Sequence, residues 1–523
     1  MRLSSSAKSQ FSELKVRKEA EVEFDSTVSK LQTELATLPD PRAQYMVFYS
    51  LDVVLTVIVL ARLGGCTRAE EIVEFWTQNL DRLKRLVFCL PDTVPHPSTI
   101  RNILAAIDPV QLNKLVFKRL SGSSHLLTYM AGTIGTDEID GYHVICADGQ
   151  AVRSTRRHNK DNPAYNSGVN LVSIFDATTR QTLAQRAVNK KNQETKAIKD
   201  CLPELDLNRT VFTFDAINTH ADLLSEIVAK GGHYLVSLKK NNGNTYEELE
   251  DAFNELEQQT RPQIKTWLQD KPVGYYQTCD SKGGKIISKE MRALPADKAL
   301  NDDILASWPC IKTVICVETV TAPADPTNKA KPSIGKAYFI SDLEYAPGWD
   351  VKKAQDKIDR AISERCRILM RMLLQRWGLE TAHFYIDYYG TFNQDRHRCF
   401  RSKFIENSAL LTKLSCNIIA TVQEHSVYVY QDRSRCSNRR LPFSKLVRKA
   451  LFNPLNGVAY LDFYYNNDPE GLYEAGIMFE ELPIEEERGH MELYSPEVND
   501  FALCSIFKNG GGRKKPKNTK KKS

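Results

Sequence analysis

Long apolar runs are missing from this sequence. Its most apolar stretch, Val53 to Leu60, is followed almost at once by Arg62, whereas a membrane-spanning helix needs about 20 apolar residues. The first ten residues hold no apolar segment of the kind that marks a secretory signal, so export is not expected. We therefore predict no contact with a membrane.

Closely paired cysteines are also missing. The 12 cysteines are scattered, and no two of them are separated by only two residues. A zinc ribbon needs such close pairs to bring its ligands to one metal, so that class of protein is disfavoured. We predict reduced thiols, several of them in the core.

Positive charge is scarce in the body of the chain and concentrated at its end. The net charge is +6, and residues 513–523 alone contain seven lysines and arginines. Removing those seven charges leaves −1 for the rest of the chain. We predict a disordered basic tail at residues 508–523, which could neutralise nucleic-acid phosphates, remain solvated or serve as a targeting signal.

The first third of the chain has helical patterning. Its apolar residues follow helical spacing over 45–63 and again over about 68–79. Ser98 or Thr99 is expected to cap a third helix. Residues 1–132 are therefore predicted to form a helical module.

Strand-like patterns begin near residue 133. Five β-branched, apolar runs alternate with two helical segments, and the runs lie at 142–147, 169–175, 182–188, 210–214 and 233–238. This order predicts an α/β domain with a mixed sheet. We place its first part at 133–245, a β-rich insertion at 246–354, and its second part, with long helices, at 355–425. Residues 426–523 are weakly patterned, and prolines are expected to interrupt them.

Two aspartates directly follow predicted strands. Asp148 follows the run at 142–147 and Asp215 the run at 210–214, and the carboxyl ends of strands form the ligand-binding edge of an open α/β sheet. Two carboxylates there could share Mg²⁺, and a third would complete a two-metal site for phosphoryl transfer. Strand-end aspartates also form caps and turns. Spacing alone leaves the third acid open among Glu380, Glu194, Asp387 and Asp395.

Short motifs around these acids resemble those of one known family. Residues 147–153, Ala-Asp-Gly-Gln-Ala-Val-Arg, resemble its Asp-Gly-Lys-x-x-Arg motif, and residues 213–216, Thr-Phe-Asp-Ala, agree with its second acid. Residues 376–380, Arg-Trp-Gly-Leu-Glu, resemble its Trp-x-Ile-Glu segment. Further similar elements lie at 40–51, 65–75, 95–99, 191–194, 234–241 and 308–309. From about residue 38 to 425 the chain thus resembles the H-repeat-associated (ISAs-type) transposases, a DDE family of bacterial insertion sequences with an RNase H-like catalytic domain.

The resemblance is incomplete at several motif positions. The substituted residues are Gln150 for Lys, Gln193 for Asn, His220 for Gln and Lys240 for Gly. Leu373 and Asp387 stand where related transposases carry Tyr and Lys around the third acid. Gln150 removes one phosphate contact from the pattern, and Leu373 and Asp387 put the DNA contacts of those two positions in question but not the metal role of Glu380.

The resemblance implies a site and a reaction. Asp148, Asp215 and Glu380 would be the catalytic carboxylates and would bind two Mg²⁺ or Mn²⁺ ions. The enzyme would be a DNA transposase that cleaves phosphodiester bonds at transposon ends and transfers the freed 3′-hydroxyl into target DNA. It would act on double-stranded DNA as a homodimer or larger assembly, in the cytoplasm at the nucleoid, or in the nucleus if the host is eukaryotic.

Basic residues flank the acids. We predict that eight of them contact DNA phosphates: Arg153, Arg156, Arg157, Lys239, Lys240, Arg376, Arg396 and Arg398. His383 and Asp387 are predicted to assist, although a packed histidine and a salt-bridged aspartate stay open as alternatives. The helical module is predicted to bind DNA ends. Its second helix, at about 68–79, is acidic and is therefore poorly suited to lie in a groove of DNA.

Two other functions stay open on the sequence alone. A divalent-metal nuclease of the same fold would cut DNA without joining it, and strand-transfer products would distinguish it from a transposase. A domesticated DNA-binding protein would bind without cutting. The presence of all three acids argues against this second alternative.

Overall fold

One nine-stranded sheet organises the part of the chain that the structure describes. The computed structural model describes residues 26–121, 141–152, 155, 168–188, 193–268, 272–325, 327, 330–346, 355–376, 392, 402–425 and 443–477. The strands are β1 His143–Val152, β2 Val169–Asp176, β3 Gln181–Val188, β4 Thr210–Phe214, β5 His233–Leu238, β6 Gly274–Lys282, β7 Lys285–Pro295, β8 Thr313–Pro323 and β9 Ser333–Ser341.

The strand order is β3-β2-β1-β4-β5-β9-β8-β7-β6. β1, β4 and β5 run parallel to one another, and every other pair of neighbours is antiparallel. This arrangement confirms the predicted α/β class with an RNase H-like mixed sheet. The four strands of the β-rich segment extend the same sheet, because β9 pairs with β5 from Leu235↔Ser341 to Leu238↔Tyr338.

Helices cover both faces of this sheet. In chain order they are α1 Ser26–Leu35, α2 Leu51–Leu63, α3 Ala69–Gln78, α4 Leu80–Leu86, α5 Pro97–Ala106, α6 Pro109–Ser121, α7 Glu194–Cys201, α8 Ala221–Ala229, α9 Gly243–Gln258, α10 Arg261–Trp267, α11 Ala296–Ala299, α12 Asp302–Ser307, α13 Gln355–Gln375, α14 Ser402–His425, α15 Phe443–Phe452, α16 Pro454–Asn466 and α17 Glu470–Glu474. Within the described ranges, no helix combines the length and apolar character that a membrane crossing requires.

Side-chain alternation along the strands separates two cores. Val144 and Cys146 of β1 pack with Leu369 and Met372 of α13 on one face. Ile145 and Ala147 of β1 face the opposite core, which is shared with α7, α8, α14 and the N-terminal helices. Because successive strand residues point to opposite faces, neighbouring residues in this part of β1 meet different helices.

The buried helix α14 joins the N-terminal helices to the sheet. The Asn407 amide donates hydrogen bonds to the carbonyl oxygens of Leu104 and Ile107 at the end of α5, at 2.8 and 3.0 Å. On the sheet side, the Asn417 side chain bonds both the N–H and the carbonyl of Thr182 in β3. α14 therefore holds the helical module and the sheet together as one packed unit.

Three local predictions are wrong. β1 does not end before Asp148, because its pairing with β2 continues to Val152↔Val169. The cap of α5 is His96, whose ring accepts from the N–H of Ser98, and not Ser98 or Thr99. Pro454 does not interrupt the C-terminal region: it occupies the first turn of α16, where a proline costs no hydrogen bond.

Candidate active site

Asp148 and Asp215 lie beside each other at one edge of the sheet. The parallel ladder between β1 and β4 ends at Ala147↔Phe214, so the next residue on each strand is one of the two acids. Asp148 stays in β1, held by its partner Ser173 in β2, whereas Asp215 leaves β4 and enters a 3-10 turn, Ala216–Asn218. Both carboxylates are half-buried.

Lys239 meets Asp215 from the third parallel strand. Its ammonium nitrogen lies 2.8 Å from Oδ1 and 3.1 Å from Oδ2 of Asp215, because β5 ends at the same edge as β4. Lys240 follows and is exposed. Asp215 thus presents both carboxylate oxygens to one cationic group, and carboxylate oxygens are also ligands that divalent cations prefer.

The pKa of Asp215 reflects opposing influences. Burial by itself raises the pKa of this carboxyl. The hydrogen bonds from Lys239 and from the N–H of Ala216, together with the charges of Lys239 and Arg376, outweigh burial and leave the pKa below its ordinary value of 3.8. Asp215 is therefore ionised at neutral pH, as a metal-binding carboxylate must be.

The end of α13 reaches the same edge. The carbonyl of Gln375 lies 3.9 Å from the Cys146 thiol, two residues before Asp148 on the same face of β1. Nη1 of Arg376 lies 3.9 Å from Oδ1 of Asp215. The chain thus passes the acid pair four residues before Glu380, and Glu380 itself lies outside the described residues.

An unsatisfied hydroxyl lies beside Asp148. Ser173 pairs with Asp148 across β1 and β2, so both side chains point to the same face of the sheet. The Ser173 side chain is 0% exposed, and its Oγ has no hydrogen-bond partner among the described residues. Buried hydroxyls are normally satisfied. An orphan next to a half-buried carboxylate fits a position where a water or metal-bound oxygen completes the hydrogen bonding.

The structure brings together only part of the predicted site. Asp148, Asp215, Lys239 and Arg376 converge on one edge, and Lys240 lies next to them. The remaining predicted residues lie outside the described ranges: Glu380, Arg153, Arg156, Arg157, Arg396, Arg398, His383 and Asp387. Among the described residues, no group of three His, Cys, Asp or Glu side chains could hold a metal ion.

The structure removes one candidate for the third acid. Glu194 lies against Gly149, where an added Cβ would be 2.2 Å from its Oε1. Gly149 and Asp148 face opposite sides of β1, so the Glu194 carboxylate lies behind the strand and cannot share a metal with Asp148. Sequence reasoning also missed Ser173 and Asn218, because an ordinary serine in a strand and an asparagine in a turn carry no motif signal.

Two family models match this chain. The family described as Transposase DDE domain matches residues 140–412, and the family described as DDE_Tnp_1-associated matches residues 32–118. The chain is similar to the YbfL protein of Escherichia coli K12, with 23% identity over 317 residues that cover 61% of this chain and 76% of that protein. The H repeat-associated protein YhhI of the same strain gives the same figures.

Two further similarities are more limited. A protein encoded in the dhlA 3′ region of Xanthobacter autotrophicus is 25% identical over 288 residues, which cover 54% of this chain and 85% of that protein. Among solved structures, the piggyBac transposase synaptic complex with hairpin DNA aligns over 90% of this chain and 87% of that chain. Its identity is 11% and its TM-score 0.33, too low to support an inference by itself.

Proposed function

This chain belongs to the Transposase DDE domain family, and from that premise we propose that it cleaves DNA at the ends of a mobile element and joins the freed 3′-hydroxyl to target DNA. The catalytic carboxylates in this proposal are Asp148, Asp215 and Glu380. DNA is the substrate of both steps. Because two ends must be handled together, the active species is a homodimer or larger assembly on DNA.

One observation carries the proposal. Asp148 and Asp215 follow the last paired residues of two adjacent parallel strands, and α13 delivers Arg376 to 3.9 Å from Asp215. Glu380 follows Arg376 by four residues in the sequence. The sheet geometry supports Asp148 and Asp215, and the family motifs support all three acids.

The donor set suits divalent cations. Asp215 offers two oxygens to a cation, Asp148 lies beside it with the orphaned Ser173 hydroxyl, and hard ions such as Mg²⁺ and Mn²⁺ prefer such oxygen ligands. Two bound ions would activate the attacking hydroxyl and neutralise the leaving oxygen. Lys239 and the N–H of Ala216 keep Asp215 ionised, and Ser173 places its hydroxyl beside Asp148 from the neighbouring strand.

The basic residues at this edge fit a role in holding DNA. Lys239, Lys240 and Arg376 place positive charge around the acids, on a chain whose body carries almost no net charge. Lysine and arginine contacts to phosphates fix the position of a duplex without reading its sequence. The same role is proposed for Arg153, Arg156, Arg157, Arg396 and Arg398.

A strand-transfer assay tests the proposal. The purified full chain is incubated with labelled DNA carrying the ends of its own element, a supercoiled target plasmid, and Mg²⁺ or Mn²⁺. The expected products are cleaved ends with 3′-hydroxyls and target molecules joined to them. Incubation with Ca²⁺, or without metal, serves as the control for binding without chemistry.

The other outcomes of this assay separate the rival functions. Cleaved ends without joined products, at every target concentration, would identify a nuclease of the same fold. Binding without cleavage in both Mg²⁺ and Mn²⁺ would contradict the proposal and identify a DNA-binding protein.

A further inference from the structure

A buried glutamate, Glu194, lies behind β1, on the face of the sheet opposite the Asp148 side chain. Glu194 is the first residue of α7 and is 3% exposed. Its Oε1 occupies the space next to the backbone of residue 149, where an added Cβ would lie 2.2 Å from Oε1 and 2.5 Å from Cδ. The close approach explains a glycine directly after Asp148, because any larger residue would displace the carboxylate.

The other oxygen of this carboxylate reaches the turn after Asp215. Oε2 of Glu194 accepts from Nδ2 of Asn218 at 3.3 Å, and Asn218 is 1% exposed. The N–H of Asn218 donates to the carbonyl of Asp215 at 2.9 Å. The hydroxyl of Thr195, next to Glu194 in α7, donates a hydrogen bond to Oδ1 of Asn218 at 3.2 Å.

This crosslink lies where the main-chain ladder stops. The β1–β4 ladder ends at Ala147↔Phe214, so the two acids are the first residues beyond it. Glu194 touches the residue after Asp148 with one oxygen and the turn after Asp215 with the other. It therefore links the two segments that carry the acids, from the face opposite the Asp148 side chain.

We infer that Glu194 is a positioning residue for the Asp148–Asp215 pair, setting from behind the sheet the spacing with which the two carboxylates receive divalent cations. The inference rests on the proposed function, because it assigns Glu194 a role toward the same metals. Residues that orient metal ligands typically change metal affinity or activity by about 10- to 100-fold when removed. Here the action runs through the backbone of Gly149 and the side chain of Asn218.

The first test measures the dependence of cleavage on Mg²⁺ concentration. In Glu194→Ala, we expect the Mg²⁺ concentration for half-maximal cleavage to rise about ten-fold or more, with DNA-end binding in Ca²⁺ unchanged. Glu194→Gln keeps an acceptor for Asn218 and should recover part of the loss. Glu406→Gln is the control: it changes a half-buried glutamate that accepts from the N–H of Ala187 in β3, away from the acids.

The second test needs no catalysis. Gly149→Ala should lower the midpoint of thermal unfolding by several degrees in the wild-type background, because the new Cβ meets the carboxylate. In the Glu194→Ala background, Gly149→Ala should lower the unfolding midpoint much less, because the Glu194 carboxylate that meets the new Cβ has been removed. Equal losses in both backgrounds would show that Glu194 does not rest on Gly149 and would overturn the inference.

The two proposals fail separately. If wild type never cleaves DNA with Mg²⁺ or Mn²⁺, the proposed function fails, while the unfolding experiment still tests the contact. If wild type cleaves and folded Glu194→Ala shows the wild-type rate and Mg²⁺ dependence, the positioning role is wrong and the proposed function stands.

Discussion

Lys239 is the basic residue in direct contact with Asp215. It bonds both oxygens of Asp215, yet 63% of its side chain is exposed. Solvent screening makes such a surface ion pair worth at most about 1 kcal/mol. We therefore expect Lys239 to act through the positive charge that it places beside Asp215, where DNA phosphates would bind, and not through stability.

Lys239→Ala is expected to weaken binding of element ends with little effect on stability. Losing one phosphate contact should lower the slope of log affinity against log salt concentration by about one. The measurement is a salt titration of DNA binding in Ca²⁺, with Lys230→Ala as control, because exposed Lys230 lies near the opposite end of β5. A salt slope equal to that of wild type would refute phosphate contact by Lys239.

Glu406 provides a pH prediction that is independent of the site. Burial raises the pKa of this carboxyl above its ordinary value of 4.5, and the N–H of Ala187 and the charge of Arg186 only partly offset burial. The folded state thus binds this proton more tightly than the unfolded state. The resulting stabilisation is complete below the unfolded pKa and is lost as pH rises through the folded pKa.

Glu406→Gln keeps an acceptor for Ala187 and cannot ionise. We expect the variant to gain stability relative to wild type as pH rises from about 4 to about 8. Thermal unfolding midpoints across this range measure the difference. If the advantage of Glu406→Gln in unfolding midpoint stays constant or shrinks as pH rises, folding does not raise the pKa of the Glu406 carboxyl.

At the scale of elements, the sequence predicted most strands and helices but not their ends. β4 and β5 have the predicted bounds because apolar runs and turn residues delimit them. β1 extends past Asp148 because pairing with β2 keeps the polar residues extended, and a polar residue inside a strand is invisible to an apolar pattern. α15 and α16 were missed because prolines were interpreted as interruptions.

The site was predictable to a similar extent. The motifs singled out Asp148 and Asp215, which the structure places side by side, although β1 continues past Asp148. The contacts of Glu194 and Asn218 and the position of Ser173 depend on register and on helix packing across the sheet, which no local pattern encodes. Glu380 remains a prediction, since periodicity alone does not distinguish it from Asp387 or Asp395.

Arg62 determines how two elements meet. Its guanidinium is 0% exposed and donates to Thr412 and Ser408 of α14 and to the carbonyl of Thr67. Burial lowers the pKa of Arg62 to about 10, so the side chain stays charged at neutral pH. This buried group fastens α2 of the N-terminal module to α14.

Arg62→Ala is expected to lower the free energy of unfolding by about 3 kcal/mol, because it leaves a cavity and unsatisfied hydroxyls. Arg62→Met should cost less, because it fills the volume without burying a charge. Chemical denaturation of both variants provides the measurement. If the methionine variant is the less stable of the two, filling the volume of Arg62 does not stabilise the protein, and the cavity explanation of the alanine variant is wrong.

At the scale of the whole molecule, one sheet carries both the acids and the β-rich segment. β1, β4 and β5 present the acids and Lys239, and β9, β8, β7 and β6 continue the sheet beyond β5. The β-rich segment therefore extends the sheet that carries Asp148 and Asp215. The return helix α13 packs on this extended sheet and brings the chain back to the acid edge.

The role of the three acids is tested most directly by the rate of Mg²⁺-dependent cleavage of element ends in single variants of each acid. Asp148→Asn, Asp215→Asn and Glu380→Gln should each slow cleavage by at least about a hundred-fold, the equivalent of several kcal/mol, while still binding DNA ends. The control is Asp222→Asn, which removes an exposed carboxylate paired with Lys199 and should keep the wild-type rate. Wild-type cleavage by any one of the three acid variants would contradict the assignment of that acid to the site.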